Sequence, residues 1–452
     1  MGLHDTPKNI VIVSVGTRGD VQPYCVVGAA LAALGHNVTV ACEKRLEALV
    51  TTEFKLPYRP IVGDMMGCFF DEGYQAKLRT AKVLGFYHLM HQWNERFDKR
   101  DIYASYVAAL HGADIVIGGP ISTAESYSVA EAIGATWIPL FLGHIHLPTS
   151  EFPQWMLQDF TGSWFGSINK WTHSVVWNQV WQQQRVTINE WRQHTLHLPP
   201  ITSSFGLRDT VLTNDSIVMY QACSVLFAGP KRRVPLDFAA GKVVYTGFLY
   251  PSTPQPEPEP LRVFLRQSDT PVIYIGFGSM PALQPLALLH FAIDVCKLTS
   301  TRCVLAAGWS LLDECKVLAE AHADVVYVES GSISHTWLFP QMRCLLHHAG
   351  LGTCAAGLRS GVPQIPCPKF MDQFHHAQVL VDLGVAPCSI SKTKLTAKYV
   401  ATVVQRVLRD DNSIQMTARA MGEFVAKESH DALPRLCERI VETKPTFLKS
   451  TP

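Results

Sequence analysis

Short apolar runs alternate along the chain with longer segments that are apolar on one side only. The run NIVIVSVG (9–16) is rich in β-branched residues and ends in glycine, which is typical of a strand buried on both faces of a parallel sheet. A polar loop, TRGDVQP (17–23), follows it, and then an apolar helix over 24–36 and a second strand over 37–42. This order predicts a strand–helix–strand unit at the start of an α/β domain.

The same alternation continues through the first half and restarts near residue 271. A strand over 113–119, a helix over 123–134 and a strand over 135–143 extend the first half. Further strands are predicted in the second half around an apolar helix, in PVIYIGFGS, RCVLAAG, DVVYVE and RCLLHHAG. We therefore predict an α/β protein with two Rossmann-like, doubly wound parallel-sheet domains that face each other across a cleft.

The prolines and carboxylates of YPSTPQPEPEP (250–260) suit neither a sheet nor a helix and predict a linker. The predicted organisation has four parts: an N-terminal domain over 1–230, an interdomain linker over 231–260, a C-terminal domain over 261–430, and a C-terminal helix or tail over 431–452.

Composition narrows the class of protein. A net charge of +1 over 452 residues gives no basic surface for a nucleic acid. None of the twelve cysteines forms a Cys-x-x-Cys pair, which favours reduced core thiols over a disulfide framework or a zinc site. No stretch approaches the roughly 18 apolar residues of a membrane span, and the run at 9–16 is too short for a signal peptide. We expect a soluble, cytoplasmic protein.

The tract 151–191 holds six of the ten tryptophans. Trp177, Trp181 and Ile188 fall on one face of a predicted helix. They pack as a buried helix face, or they line a pocket for a flat apolar acceptor or lie against a membrane as a peripheral contact, and these roles are compatible.

Asp20 stands where the first predicted strand gives way to a helix. The loop GTRGD (16–20) lacks the G-x-G-x-x-G spacing of a dinucleotide site, which disfavours a hydride-transfer enzyme. The Asp20 side chain is either a helix cap or a base that accepts a proton from a substrate hydroxyl.

Two loops rich in small residues follow strands of the second half, GFGSM (276–280) and HHAGLGT (347–353). Gly350 and Gly352 allow backbone N–H groups to approach an anion, and a helix predicted from Thr353 would direct its N-terminus toward it. His348 adds an imidazole donor, although a lone histidine is more often a core residue. These features favour a phosphate contact.

Asp372 and Gln373 follow a strand that prolines 363, 366 and 368 bring to an end. A carboxylate beside an amide suits paired hydrogen bonds to sugar hydroxyls. Together with the glycine loops and Asp20, they describe a nucleotide-sugar site: a diphosphate and a sugar held by the second domain, and a base supplied by the first.

This combination resembles the family 1 glycosyltransferases of the GT-B fold, and in particular their sterol 3-beta-glucosyltransferase branch. The resemblance spans both halves and rests on the segments GTRGDVQPY, WRQHTLHLPP, YTGFLYP, GFGSM, SHTWLFP, HHAGLGTCAAGLRSGVPQIPCP and DQ.

The resemblance implies a role for each matching residue. It makes Asp20 the base that deprotonates the acceptor hydroxyl, with Thr17 and Arg18 close to the donor. The donor contacts that it implies in the second half are Ser279, Ile333, His335, His348, Gly350, Leu351, Gly352, Thr353, Asp372 and Gln373. It further implies an inverting transfer from UDP-glucose to a β-glucoside, with no cofactor and no metal ion.

The acceptor side departs further from the family pattern. His144 and His146 in HIHLPT (144–149) are either acceptor contacts or polar loop residues. A sterol is the acceptor that the resemblance favours. The alternatives are other natural products or xenobiotics, such as phenolics or macrolides, and a non-catalytic relative that only binds a nucleotide sugar or a lipid.

Overall fold

The computed structural model describes residues 6–69, 71–80, 89–90, 92–143, 147–157, 165–251, 258–278, 285–306, 313–329, 333–369, 372–409 and 413–447. Within these residues the chain forms two compact units. The first contains Met1–Gly67, Met90–Pro251 and Glu428–Pro452, and the second contains Cys68–Leu89 and Ser252–Lys427.

The strands, in chain order, are β1 (Asn9–Val13), β2 (Asn37–Glu43), β3 (Tyr58–Ile61), β4 (Ile115–Gly118), β5 (Thr136–Phe141), β6 (Met219–Gln221), β7 (Val243–Tyr245), β8 (Val272–Gly276), β9 (Arg302–Ala306), β10 (Val326–Glu329), β11 (Leu345–His347) and β12 (Gln364–Pro366).

The α-helices are α1 (Arg18–Ala33), α2 (Glu72–Thr80), α3 (Lys99–Leu110), α4 (Thr123–Ile133), α5 (Gly166–His194), α6 (Leu207–Thr213), α7 (Glu259–Arg266), α8 (Pro285–Thr299), α9 (Asp313–Glu320), α10 (His335–Leu338), α11 (Leu351–Ser360), α12 (Gln373–Asp382), α13 (Ala397–Arg409), α14 (Ser413–His430) and α15 (Ala432–Glu442). Single turns of 3₁₀ helix lie at Lys44–Leu46, Gly67–Phe69, Trp155–Leu157, Val225–Phe227, Phe339–Gln341 and Lys392–Lys394, and a π-helical turn lies at Leu49–Glu53.

The sheet of the first unit has the order β3-β2-β1-β4-β5-β6-β7 over the described strands, and its pairings are parallel. Successive residues of β1 point to opposite faces. Val11 and Val13 pack in a core cluster with α3, α4 and α5, whereas Ile10 and Ile12 pack in another with α1 and α15. Helices therefore cover both faces of this sheet.

The sheet of the second unit has the order β10-β9-β8-β11-β12 over the described strands and is also parallel. Ile273 and Ile275 face a core cluster with α8 and α13, and Tyr274 faces another with α7 and α11. The predicted pair of doubly wound α/β domains is confirmed.

Each sheet has a point where consecutive connections run in opposite directions. It lies between β1 and β4 in the first unit and between β8 and β11 in the second. Ligands of open α/β sheets bind at such a point, outside the carboxyl ends of the strands. GTRGD follows β1, Phe277 and Gly278 follow β8, and HAGLGT (348–353) follows β11, so these residues occupy the positions that the topology assigns to ligands.

The tryptophan-rich tract forms α5. Trp181 is only 3% exposed and Ile188 is fully buried, and the partly buried Trp177 packs against the same core cluster. Trp191 stacks on Tyr103 with ring centroids 4.6 Å apart. This face of α5 is therefore a buried packing face, the first of the two predicted roles.

Candidate active site

The loop after β1 is shorter than predicted, because α1 begins at Arg18 and not after Pro23. Thr17 is the N-cap and Asp20 the third helical residue. The Asp20 carboxylate oxygen Oδ2 accepts hydrogen bonds from the Thr17 N–H (2.7 Å) and the Thr17 hydroxyl (2.8 Å). This reciprocal cap stabilises a helix start that contains Gly19 and Pro23, two residues that disfavour helix.

Gly16 lets the Asp20 carboxylate lie against the main chain. Its φ of +137° belongs to a region that residues with a Cβ rarely adopt. A Cβ on Gly16 would lie 2.5 Å from Oδ2 of Asp20, well inside contact distance. The capping role of Asp20 is thus realised, and it fixes the carboxylate at the carboxyl end of β1.

Glu43, a residue that the sequence analysis missed, holds the other side of this loop. It ends β2 and is 2% exposed. Its carboxylate accepts hydrogen bonds from the N–H groups of Gly16 (3.3 Å) and Met65 (2.5 Å). Burial raises the pKa of Glu43 to about 7. An acidic residue at the end of an apolar strand beside β1 was the signal that could have identified it.

Arg18 lies in the first turn of α1 and forms a two-pronged ion pair with Glu53, with both N–O distances 2.6 Å. Its Nε also donates to Gln22 (3.2 Å). This pairing holds the guanidinium beside the turn that carries Asp20.

In the second unit, α11 begins at Leu351, two residues before the predicted Thr353, with Gly350 as N-cap. The first N–H groups of a helix have no partners within it. No described atom outside the local backbone lies within 4 Å of where a Cβ on Gly352 would stand, so open space borders this turn. The start of α11 therefore provides backbone donors beside open space.

The two histidines before α11 have different environments. His347 is fully buried. Its Nδ1 accepts a hydrogen bond from the Ala349 N–H (3.1 Å), so the ring proton is on Nε2, which donates to the Gln364 side chain (2.9 Å). Burial lowers the pKa of His347 to about 3. His347 is therefore a neutral residue that positions the loop.

His348 lies between two glycines. A Cβ on Gly350 would be 2.5 Å from its Nε2, and one on Gly278 would be 2.7 Å from its Cε1. Its Nδ1 is buried and has no hydrogen-bond partner of good geometry in the described part of the chain. Burial lowers the pKa of His348 to about 4, and a hydrogen bond with the Gly276 backbone acts in the opposite direction. The result is a neutral imidazole at a helix start, with a buried nitrogen that has no well-aligned partner among the described residues.

The DQ motif lies at the start of α12, close to the histidine loop. Asp372 is the N-cap of α12, and its Oδ2 is 4.0 Å from Nε2 of His376. The buried His376 donates from Nδ1 to the Ala349 carbonyl (2.9 Å). Gln373 is buried, and its side-chain oxygen accepts a hydrogen bond from the Lys369 backbone N–H (2.9 Å). His376 thus ties the motif to the segment between His348 and Gly350.

His335 and Ile333 lie near β8. The His335 imidazole stacks on Phe339 with centroids 4.3 Å apart, and its Nε2 is 3.4 Å from the Tyr274 hydroxyl. Ile333 packs against the core cluster that contains Tyr274. Both residues therefore belong to the second unit, with the histidine loop and the DQ motif.

The structure brings the predicted residues together in two groups. Thr17, Arg18 and Asp20 lie at one turn of the first unit, and the remaining predicted donor residues that are described lie in the second. Ser279, His144 and His146 lie outside the described residues. Trp177 and Trp181 pack in the core of the first unit, and a role for them in acceptor binding stays a prediction. Lys369, which follows β12, is a second residue near the histidine loop that the sequence analysis missed.

Two structural features are absent from the described residues. They contain no group of three or more His, Cys, Asp or Glu side chains that could hold a metal ion. No helix among them is both long enough and apolar enough to cross a membrane.

Both halves of the chain match known families. Residues 10–133 match the glycosyltransferase family 28 N-terminal domain, and residues 326–438 match the C-terminal domain described as erythromycin biosynthesis protein CIII-like. These two matches cover much of the first sheet and the last part of the second unit, including the histidine loop.

Similar proteins align along most of the chain. A sterol 3-beta-glucosyltransferase of Candida albicans is 29% identical over 95% of this chain and 27% of its own length. Sterol 3-beta-glucosyltransferase UGT80A2 of Arabidopsis thaliana is 28% identical over 92% of this chain and 63% of its own length. This chain thus spans about a quarter of the fungal relative and less than two thirds of the plant one.

A solved structure shows the same fold. Glycosyltransferase VinC, in complex with DTDP, superposes with a TM-score of 0.62 at 17% identity, covering 96% of this chain and 99% of that one. The predicted GT-B fold and the family resemblance are confirmed. Over most of its length the chain is therefore similar to glycosyltransferases of the GT-B fold, and its relatives include sterol 3-beta-glucosyltransferases.

Proposed function

We propose that this chain is an inverting glycosyltransferase that moves glucose from UDP-glucose to a hydroxyl of an apolar acceptor, a sterol. The observation that carries the proposal is the His348 imidazole, set between Gly278 and Gly350 where α11 begins. A neutral donor, close main chain and a helix N-terminus together suit a diphosphate.

On the donor side, the diphosphate lies at the first turn of α11. His348 donates a ring N–H to a phosphoryl oxygen, which gives its buried nitrogen the well-aligned partner that the described residues do not supply. The open space at Gly352 admits the phosphates close to the backbone N–H groups. Asp372, at the start of α12, binds hydroxyls of the sugar, and His335 helps to hold the nucleotide.

On the acceptor side, Asp20 accepts the proton of the attacking hydroxyl. The acceptor oxygen forms a bond to C1 of glucose while the bond from C1 to the diphosphate oxygen breaks, and that electron pair leaves with UDP. Attack from the opposite face inverts the α-linkage of the donor to a β-glucoside. The contact with Thr17 fixes the direction of the carboxylate.

No metal ion is assigned to this reaction. The charge that develops on the leaving diphosphate is stabilised by His348, by the N–H groups at the start of α11 and by the dipole of that helix.

The acceptor class rests on the two relatives described above, both of which carry the name sterol 3-beta-glucosyltransferase. A peripheral membrane contact would supply such an acceptor. Exposed apolar side chains at the start of α5, namely Phe165, Ile168 and Trp171, support this contact.

The test is incubation of the purified chain with UDP-glucose and a panel of sterols, phenolics and macrolides, followed by mass measurement of each acceptor. We expect sterols to gain one hexose. If only phenolics or macrolides gain a hexose, the acceptor belongs to that class and is not a sterol. Tight UDP binding without a hexosylated product from any acceptor would instead indicate a non-catalytic binding protein.

A further inference from the structure

Lys369 lies at the same edge of the second sheet as the histidine loop. It follows β12, His348 follows β11, and Phe277 follows β8, and these three strands are neighbours in the order β8-β11-β12. The Lys369 ammonium lies 4.7 Å from the centre of the Phe277 ring. The side chain therefore extends from the end of β12 across β11 toward β8, over the loop that carries His348.

The Lys369 ammonium has no acidic partner among the described residues. Within the part of the chain that the structure describes, it forms no ion pair or side-chain hydrogen bond, and its contact is the face of the Phe277 ring. A half-buried ammonium normally has a carboxylate or carbonyl partner, because removing it from water is costly. A cation over an aromatic ring recovers only part of that cost, on the order of 1 kcal/mol.

The ionisable groups that act on Lys369 are Cys367 and Lys392. Its charge acts on His348 and helps to keep that imidazole neutral, while Asp372 is the acidic group that acts on His348 in the opposite direction. Lys392 adds a second positive charge near Lys369. Burial lowers the pKa of Lys369 to about 8, so the side chain is still mainly protonated at neutral pH. An anion beside this ammonium would offset the free-energy cost of burying its charge.

We infer that the Lys369 ammonium binds a phosphoryl oxygen of the donor diphosphate, beside His348. This inference rests on the proposed function and names one further residue of its donor site. Lysine binds phosphate as a point charge, without fixed geometry. Its charge opposes the negative charge that the diphosphate gains when the bond to C1 breaks. Lys369 forms no covalent bond and transfers no proton in this step.

The test compares Lys369→Met and Lys369→Arg with wild type, using calorimetric binding of UDP and of uridine. Loss of one charge-assisted hydrogen bond is expected to weaken UDP binding by about 10- to 100-fold in Lys369→Met. Uridine, which has no phosphate, should bind Lys369→Met as it binds wild type. Lys392→Ala is the matched control, because it removes an exposed positive charge nearby; we expect it to bind UDP as wild type does.

The pH dependence of UDP binding gives a second measurement that does not depend on the folding of Lys369→Met. A raised pH removes the proton from Lys369, so wild-type affinity should fall between pH 7 and pH 9, by about tenfold at the upper end. Lys369→Arg should show no such fall, since arginine stays protonated.

The outcomes separate this inference from the proposed function. UDP binding by Lys369→Met at wild-type strength, or an equal loss of UDP and uridine binding, would overturn the role of Lys369 while leaving the donor site in place. A wild-type chain that binds no UDP would overturn the proposed function, and this inference with it.

Discussion

The donor-site histidines show how single residues in one motif divide their tasks. His347 and His348 are adjacent, but the first bonds Gln364 on the neighbouring strand and the second lies between Gly278 and Gly350. The motif HHAGLGT predicts a phosphate loop from its glycines, but it does not contain Gln364 or Gly278. Which histidine faces a ligand depends on these tertiary contacts, and the sequence favours His348 only through its place beside the glycines and through the resemblance.

Gly350→Ala tests the position of His348. The φ of Gly350 is −63°, so alanine introduces no backbone strain there. Its Cβ would stand 2.5 Å from Nε2 of His348 and must displace the imidazole. We expect the variant to fold normally and to lose UDP affinity by about tenfold or more, the value of one charge-assisted hydrogen bond. Calorimetry measures the affinity, and unchanged UDP binding would contradict this position of His348.

Among the elements, most strands follow from the apolar pattern, but the short strands β3, β6 and β7 and many helices do not, and two predicted helices start earlier than expected. Helices α1 and α11 each begin earlier than predicted, at Arg18 and Leu351. Both first turns contain glycine, and α1 also contains Pro23, so propensity argues against helix at these positions. In α1 the cap between Thr17 and Asp20 overrides the propensity. The helix propensity of the sequence and the observed structure therefore differ at these two turns, which carry residues of the candidate site.

Helix α5 gives a test with a matched control. Trp181→Ala removes a buried ring that packs against Gly206 and is expected to cost about 3–5 kcal/mol of unfolding free energy. Trp171, on the same helix, is 59% exposed, and Trp171→Ala should change the unfolding free energy by about 0.5 kcal/mol or less. Denaturant unfolding measures both. Equal effects of the two variants would contradict the burial of Trp181.

At the scale of the whole molecule, the chain returns at its end to the first unit. Leu436, Cys437 and Ile440 of α15 pack in the core cluster that includes Ile10 and Ile12. Thr446 accepts a hydrogen bond from the Trp137 N–H (3.0 Å). The sequence predicts a C-terminal helix or tail over 431–452, but it contains no information about which sheet this segment covers. The sequence pattern does not predict such long-range packing.

The two units should respond differently to acid. In the second unit burial lowers the pKa of His347 to about 3 and that of His348 to about 4, below the usual 6.5 of histidine. The unfolded chain therefore binds more protons, and this unit loses stability as the pH falls below about 6.5. In the first unit burial lowers the pKa of His173 to about 4, which acts in the same direction, but it also raises the pKa of Glu43 and Glu125 to about 7. The contribution of these two carboxyl groups increases as the pH falls from 7 toward 4.5, so it offsets the loss from His173.

Hydrogen exchange at pH 7 and pH 5, corrected for intrinsic rates, measures this difference. We expect amides of β11 and β12 to lose about 2 kcal/mol of protection at pH 5 from His347 alone, and amides of β1 and β4 to lose less. His347→Gln, which cannot take up a proton, should reduce the loss in β11 and β12. Equal losses in both sheets, or no effect of His347→Gln, would contradict the buried neutral histidine.

The central claim is that Asp20 is the base of a transferase whose donor site lies in the other unit. The most direct measurement is the rate of hexose transfer by Asp20→Asn at saturating UDP-glucose, with its UDP affinity measured alongside. The amide oxygen can still accept the Thr17 N–H, so the cap and UDP binding should persist, while transfer falls by about 10²- to 10⁴-fold. Transfer by Asp20→Asn at the wild-type rate would contradict the assignment.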